Sequence, residues 1–364
     1  MKYLISFGLF LLLIHVASAQ IIVVPDDYQK IQWAIDNASV DDMIVVKDGI
    51  YIENVVIDKS ITLMSESGPN NCKIGAADSD LPVIKIVADN AKVTGFCIEG
   101  QNCGIYIYDS DICVVHDMKF VSNKYSVRIK NSDDCEVYDC VFDSNEYGII
   151  LNSSEECLIM DNNFIGNDFA VVLNTSDDNE ISENYFESNT YGIFCENSNS
   201  NYIESNEFVK DEKAVVLKSS NELMIDDNSF TDCVCSLSLM DSFDNEIYLN
   251  DFVRSSVKSQ NSVNYWNSTI LYLYEYNGHE YVSYIGNYWD DYTGVDSNND
   301  GIGEQSYIID TDNLDYYPLI SSKDYYALKF EVIATPTPVF IPEFPVTVLP
   351  LAICIMLLIA RRLF

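Results

Sequence analysis

Basic side chains are scarce in this chain: 20 Lys and Arg stand against 57 Asp and Glu, a formal net charge of −37 at pH 7. A phosphate backbone is gripped by Lys and Arg, so this balance excludes nucleic acid as a partner. Docking on anionic lipid is disfavoured for the same reason. Histidine is scarcer still, with 3 in the whole chain, thin provision for a copper, zinc or haem enzyme. What the chain does have is apolar bulk: 48% of residues are hydrophobic and 25 are Tyr. That is enough for a sizeable core and argues against wholesale disorder. The 364 residues allow one large domain or two ordinary ones.

Both ends read as processing or targeting segments. Lys2, the apolar run Leu4–Val16 and Ala17-Ser18-Ala19 form a secretory signal, which leaves Gln20 first in the mature chain. At the other end, Thr335-Pro-Thr-Pro precedes Ile341-Pro-Glu-Phe-Pro345, apolar Val346–Ala360 and Arg361-Arg362. The Thr/Pro stretch is an extended spacer. The two Arg would stay cytoplasmic, which places everything upstream outside the cell. Pro342-Glu343-Phe344-Pro345 with its apolar helix and basic end resembles the PEF-CTERM signals of archaeal surface proteins. That resemblance implies an archaeosortase-type processing enzyme as a partner and attachment to the cell surface. The plainer alternative is a membrane anchor that is retained.

The dominant feature is a period of 22 residues. Phe120, Phe142, Phe164, Phe186, Phe208, Phe230 and Phe252 follow one another at that interval, with Ile98 one period earlier. An aliphatic stands five before each anchor (Val115, Val137, Ile159 and onward), another seven after, and a Ser twelve after, from Ser110 to Ser242. Each unit has three short apolar pieces with alternation inside them, separated by Asn/Ser/Asp/Gly turns. No piece has the length or spacing of a helix, and no Leu-x-x-Leu-x-Leu frame of a leucine-rich horseshoe is present. The period therefore predicts an all-β, single-stranded parallel β-helix, one coil per 22 residues.

Two inner columns sharpen that picture. Asn162, Asn184, Asn206, Asn228 and Asn250 stand two before the anchors and suit an amide ladder along the axis. Fifteen after the anchors the column reads Cys113, Cys135, Cys157, Asn179, Asn201, so Cys is expected to fill a small buried position otherwise held by Asn. Disulfides between neighbouring thiols, Cys233 with Cys235 or Cys97 with Cys103 remain open. Open sheet ends need caps. Tyr28–Ala38 suits a short amphipathic helix over the first coil. The chain thus divides into a signal peptide (1–19), an N-terminal cap and first coils (20–97), regular coils (98–260) and a Tyr-rich C-terminal part (261–320). A linker (321–342) and the sorting or transmembrane segment (343–364) complete it.

Few constellations carry chemistry. Asp296, Asn298 and Asp300, followed by Gly301 and Glu304, resemble the first half of a calcium loop, with Tyr307 where an EF-hand places its bidentate Glu. Calcium is the one cofactor expected. Arg128-Ile-Lys130 and Asp133-Asp134 resemble polygalacturonase fragments, but in the wrong order and without a Ser-His-Gly partner. An outward column eight after each anchor reads Tyr106, Arg128, Ile150, Val172, Phe194, Val216; its four successive apolar residues form a candidate stripe for a polymer or another subunit, the alternative being ordinary enrichment of β-branched residues on exposed strands. Asn37, Asn152, Asn174 and Asn267 head glycosylation sequons.

Several stretches together carry a family resemblance. They are Val24-Pro-Asp-Asp-Tyr28, Ile31-Gln-x-Ala34-Ile-Asp36, Gly49-Ile-Tyr-x-Glu-Asn-Val55, Lys59-Ser-Ile-Thr-Leu63, the Asn-x-Phe coils and Gly286-Asn-Tyr-Trp-Asp-Asp-Tyr292, ending at Tyr317-Pro-Leu319. Over about residues 22–320 the chain resembles the NosD-like β-helix family, named for a periplasmic copper-binding protein and also described as a carbohydrate-binding and sugar-hydrolase domain. The resemblance implies a right-handed, pectin-lyase-like β-helix. With only His116 and His279 in the mature chain and no His/Met/Cys cluster, a copper role is not expected. The expectation is a cell-surface β-helix that binds glycan or forms part of the envelope without catalysis. A polysaccharide lyase or glycoside hydrolase is the alternative, and a copper-binding maturation factor comes third.

Overall fold

The structure, a computed structural model, describes residues 19–332. Short strands recur three times per coil and pair in parallel with their counterparts one coil away, which builds two sheets of 11 strands and one of 10. This is the right-handed parallel β-helix that the period predicts. Register is 22 residues throughout the regular coils, for example Phe142 opposite Phe164 and Ile149 opposite Val171.

That register stacks like on like. The Phe rings from Phe120 to Phe252 lie face to face with centroids 4.6–5.1 Å apart, and the stack continues through Trp289 at 4.3 Å and Tyr307 at 4.2 Å. Each ring closes the space above a small residue in the 10-strand sheet. A Cβ on Gly148 would lie 2.4 Å from the Ala170 carbonyl oxygen and 3.3 Å from the Phe164 ring. This explains a column, Gly104, Ser126, Gly148, Ala170, Gly192 and Ala214, that holds nothing larger.

Polar ladders line the corners. Asn162 takes Asn184 as acceptor for both its backbone and side-chain N–H groups, and donates to the Val137 carbonyl one coil back. The same pattern runs to Asn250 and on through Asn287 to Asp315. A second amide ladder, Asn123, Asn145, Asn167, Asn189, stands three after the anchors. The Ser column is a third, with each backbone N–H donating to the Oγ one coil on. Cys135 and Cys157 donate their thiols to the Ser110 and Ser132 carbonyls, the place where Asn179 donates to Ser154. Thiol therefore substitutes for amide in one ladder. Every cysteine among the described residues is free, so the disulfides left open by the sequence are absent there.

The corners explain the composition. In the coil of Phe142, Asp139, Ser144, Ser153 and Glu156 all adopt left-handed φ between 52° and 57°. Short polar side chains tolerate this conformation better than apolar ones, and it recurs in every regular coil. Acidic residues at these corners also cap backbone: Asp111 accepts from the Asp133 N–H, and Asp133 from the Glu155 N–H.

Both ends close with non-repeating chain. Strand β1 (Ile21–Val24) and helix α1 (Ile31–Asn37) precede β2 (Met43–Val46), β3 (Gly49–Ile52) and β4 (Val55–Ile57). The helix buries Ile31, Ala34 and Ile35 over the first coil. At the far end, Leu271–Tyr276, His279–Ser283 and Tyr326–Val332 form an antiparallel sheet. Tyr274, Tyr276 and Tyr326 pack with Tyr248 and Leu249 of the last coils as a second core. The linker expected from residue 321 thus begins later. A 3-10 turn at Lys323–Tyr325 and the strand after it are held by Asp251, which accepts from the Ser322 hydroxyl and the Lys323 N–H.

The second amide ladder ends in a carboxylate. Asp211 accepts two bonds from Asn189 on one oxygen, while its other oxygen is buried without a partner. Burial pushes its pKa up to about 7. An Asn there would donate to the Phe186 carbonyl, as Asn189 does to Phe164. Because its folded pKa is raised, the contribution of Asp211 is most favourable below about pH 4 and is lost as pH rises through about 7. Asp211→Asn is accordingly expected to leave the melting temperature little changed near pH 4. Above pH 7 it should raise stability by up to about 4 kcal/mol, measured by calorimetry across that range.

Candidate glycan-binding site

The outward column eight after the anchors lies on the outer face of the 10-strand sheet. It is less open than the sequence suggests: Ile150 is 9% and Val216 2% exposed. Arg128 lays its guanidinium over Tyr106 and Tyr125, at 5.0 and 5.1 Å from the ring centroids. Phe194 packs edge-on to Phe169 and Tyr191. The cover comes from a neighbouring column that the sequence reading missed, Tyr125, Tyr147, Phe169 and Tyr191, stacked at 5.1, 5.1 and 4.4 Å. It was hidden because these strands turn two successive residues inward, such as Ser126 and Val127, which breaks simple alternation. Lys213 caps the last ring at 4.6 Å. Sugars stack on ring faces, and here the faces are already taken, so this ladder is structural.

The expected calcium loop is closed on itself. Asp296 accepts from the Asp300 and Gly301 N–H groups, Asp300 from Asn298 and the Ile302 N–H, and Glu304 from Ser297. Its carboxylates serve the loop's own donors. The polygalacturonase-like fragment is likewise engaged, with Asp133 capping Glu155 and Lys130 above the Tyr108 ring. One carboxylate pair does stand apart: Glu204 and Asp226 are register partners on adjacent coils. Burial raises both, Asp226 to about 7, and Tyr248 stands beside it. One Asp226 oxygen is buried without a partner.

The most sugar-like cavity lies at the C-terminal end. Tyr265, Tyr284, Tyr316 and Tyr317 wall a cavity of about 530 Å³, floored by Asn267, Ser268 and Thr269. Tyr265 and Tyr316 are 49% and 59% exposed, so their rings are free to meet a ligand. Tyr284 and Tyr317 brace each other at 5.1 Å. The lining contains no Asp, Glu or His. Its polar groups are hydroxyls and one amide, a set that hydrogen-bonds sugar hydroxyls and supplies no general acid or base. These residues come together because the Ser268 N–H donates to the Ile285 carbonyl and the Gly286 N–H to that of Tyr317.

Coils, capped ends and a half-open tyrosine cavity define a right-handed parallel β-helix of the pectin-lyase-like class. Within that class the chain belongs to the NosD family, whose model, described as periplasmic copper-binding protein (NosD), matches residues 35–223 and 188–294. A cell surface glycoprotein of Methanothermus fervidus is 38% identical over 90 residues. The match spans 24% of this chain and 15% of that protein's length. A polygalacturonase from Erwinia carotovora ssp. carotovora superimposes with a TM-score of 0.52 at 10% identity, covering 68% of this chain and 93% of that one. A double mutant of the periplasmic alginate epimerase AlgG gives 0.50 at 15% identity, covering 67% and 73%. At such identities the likeness shows the fold alone.

The copper of the family's description does not fit these residues. Among the described residues no group of three or more His, Cys, Asp or Glu is placed to hold a metal ion. His116 stacks on Tyr138 in a middle coil, while His279 is exposed in the C-terminal hairpin. The Cys113 thiol is pushed well up by its hydrogen bond with Cys135 and by burial, which opposes the thiolate a soft metal needs.

The four sequons differ in access. Asn152 and Asn174 are neighbours across coils, joined side chain to side chain, and their hydroxyl residues Ser154 and Ser176 are fully buried in the Ser ladder. Ser39 and Thr269, which serve Asn37 and Asn267, are exposed. Glycosylation acting on the folded chain is therefore expected at Asn37 and absent from Asn152 and Asn174, while Asn267, on the floor of the tyrosine cavity with its amide donating to the Ser268 carbonyl, is expected to stay bare. Glycopeptide mass spectrometry of the native protein checks this, since sugar at the coil sites would mean attachment before folding.

Proposed function

We propose that this is an exported, cell-surface β-helix that holds a glycan at the C-terminal tyrosine cavity without cleaving it. The cavity is the observation that carries the reading: exposed ring faces, hydroxyl and amide donors, and no acid or base in the lining. Export and a surface position are supported by the N-terminal signal pattern and by the partial match to a protein named as a cell surface glycoprotein. Attachment through the C-terminus rests on residues outside those described. Among the described residues no helix is long and apolar enough to cross a membrane.

Cleavage of a polysaccharide is the second reading, favoured by the Glu204–Asp226 pair. Their strands lie about 5 Å apart, near the carboxyl spacing of retaining hydrolases. The tyrosine cavity does not include them. Binding is tested by calorimetry on protein made in a host that adds no glycan at Asn267, with neutral and uronate oligosaccharides as probes. Replacing Tyr265 and Tyr316 together by Ala should weaken binding about tenfold or more. Unchanged affinity, or reducing ends or unsaturated products that vanish in Glu204→Gln, would replace this reading with the second.

A further inference from the structure

At the N-terminal end the three long sheets finish on β1, β3 and β4. An end strand presents unpaired N–H and C=O groups, which templates pairing with other chains. Two of the three edges are sealed. On β1, Val23 donates its N–H to the Asp27 carboxylate and accepts at its carbonyl from the Asp27 N–H. On β4, the Gln32 side-chain amide accepts from the Val56 N–H and donates to the Val56 carbonyl, imitating a further strand. Glu53, just past β3, is turned away to cap the first N–H groups of α1.

Among the described residues strand β3 has no such seal. The Gly49 and Glu53 N–H groups donate toward the next coil, to Asn71 and Gly75. By the alternation of a parallel strand, the N–H and C=O of Ile50 and Ile52 face the open side. Their side chains are 74% and 60% exposed. Two bare isoleucines on an unsealed edge stand out beside two edges closed by dedicated side chains.

We infer that this edge pairs with the β3 edge of a second copy of the chain, antiparallel about a twofold axis at Tyr51. The fit is self-complementary. Ile50 of one copy faces Ile52 of the other and exchanges both hydrogen bonds with it, and the reciprocal pair does the same, so all four open groups on each copy are satisfied. The isoleucines meet as a cluster of four on the outer face. Further along, Asp48 comes opposite Asn54 and Gly49 opposite Glu53, so no like charges are directly opposed despite the acidity of the chain. The contact is one short strand per copy, smaller than the roughly 800 Å² per partner of a stable complex. Association is therefore weak and concentration-dependent, suited to molecules crowded on a surface.

The intact protein is examined by analytical ultracentrifugation from about 1 μM to about 1 mM. A monomer–dimer equilibrium is expected. Ile52→Pro removes only the outward N–H and keeps the bonds to the next coil. It should leave the melting curve unchanged and weaken the dimer at least about tenfold; Ile50→Lys should do likewise. A chain that stays monomeric throughout overturns the inference, as does a dimer that survives Ile52→Pro. So does a dimer abolished by Val339→Asp in the C-terminal segment, because that segment would then be the occupant of the edge.

Discussion

Most inward side chains of the regular coils meet their own kind one coil away, and that repeated contact is what the remaining structure depends on. Sheet pairing at 22-residue register places Phe on Phe, Asn on Asn and Ser on Ser. The apolar stack supplies burial, while the amide and hydroxyl ladders satisfy backbone groups that a coil corner would otherwise leave unpaired. Neither works without the other. A corner left unsatisfied in the interior is costly, and a shift of one residue would turn every Phe outward. The ladders persist beyond the repeat: Asn287, Asn313 and Asp315 complete them from the irregular C-terminal chain, so the cap is registered to the coils by hydrogen bonds as well as by packing.

The same geometry accounts for the charge. Four corners per coil require left-handed residues, and the chain fills them mainly with Asp, Asn, Ser and Glu in place of glycine. Beside these positions, Asp89, Asp111 and Asp133 cap N–H groups one coil on. A large part of the negative charge is therefore a by-product of coil corners that must be both polar and exposed, which keeps the rod soluble and separate from anionic polymers. The tyrosine cavity, lined by no carboxylate, is a local exception on such a surface.

Architecture was legible in the sequence because periodicity survives without knowledge of contacts. The Phe, Ser and Asn columns named the inside, and the helical cap followed from the amphipathic stretch ending at Ala38. The second amide ladder at Asn123, Asn145, Asn167 and Asn189 is equally periodic. The candidate site was not legible. Tyr265, Tyr284 and the adjacent Tyr316 and Tyr317 are separated in sequence and lie outside the period, and only the non-repeating C-terminal chain brings them together. The outward stripe was correctly placed on the outer face, but its cover depended on a local irregularity of the strands that strict alternation conceals.

The central claim is that the tyrosine cavity, and not the Glu204–Asp226 pair, is where a glycan is held. A crystal structure of the protein with a bound oligosaccharide tests it most directly. The account predicts an intact sugar chain with rings against Tyr265 and Tyr316 and hydroxyls near Asn267. A sugar seated at Glu204 and Asp226, or a cleaved product there, would contradict it.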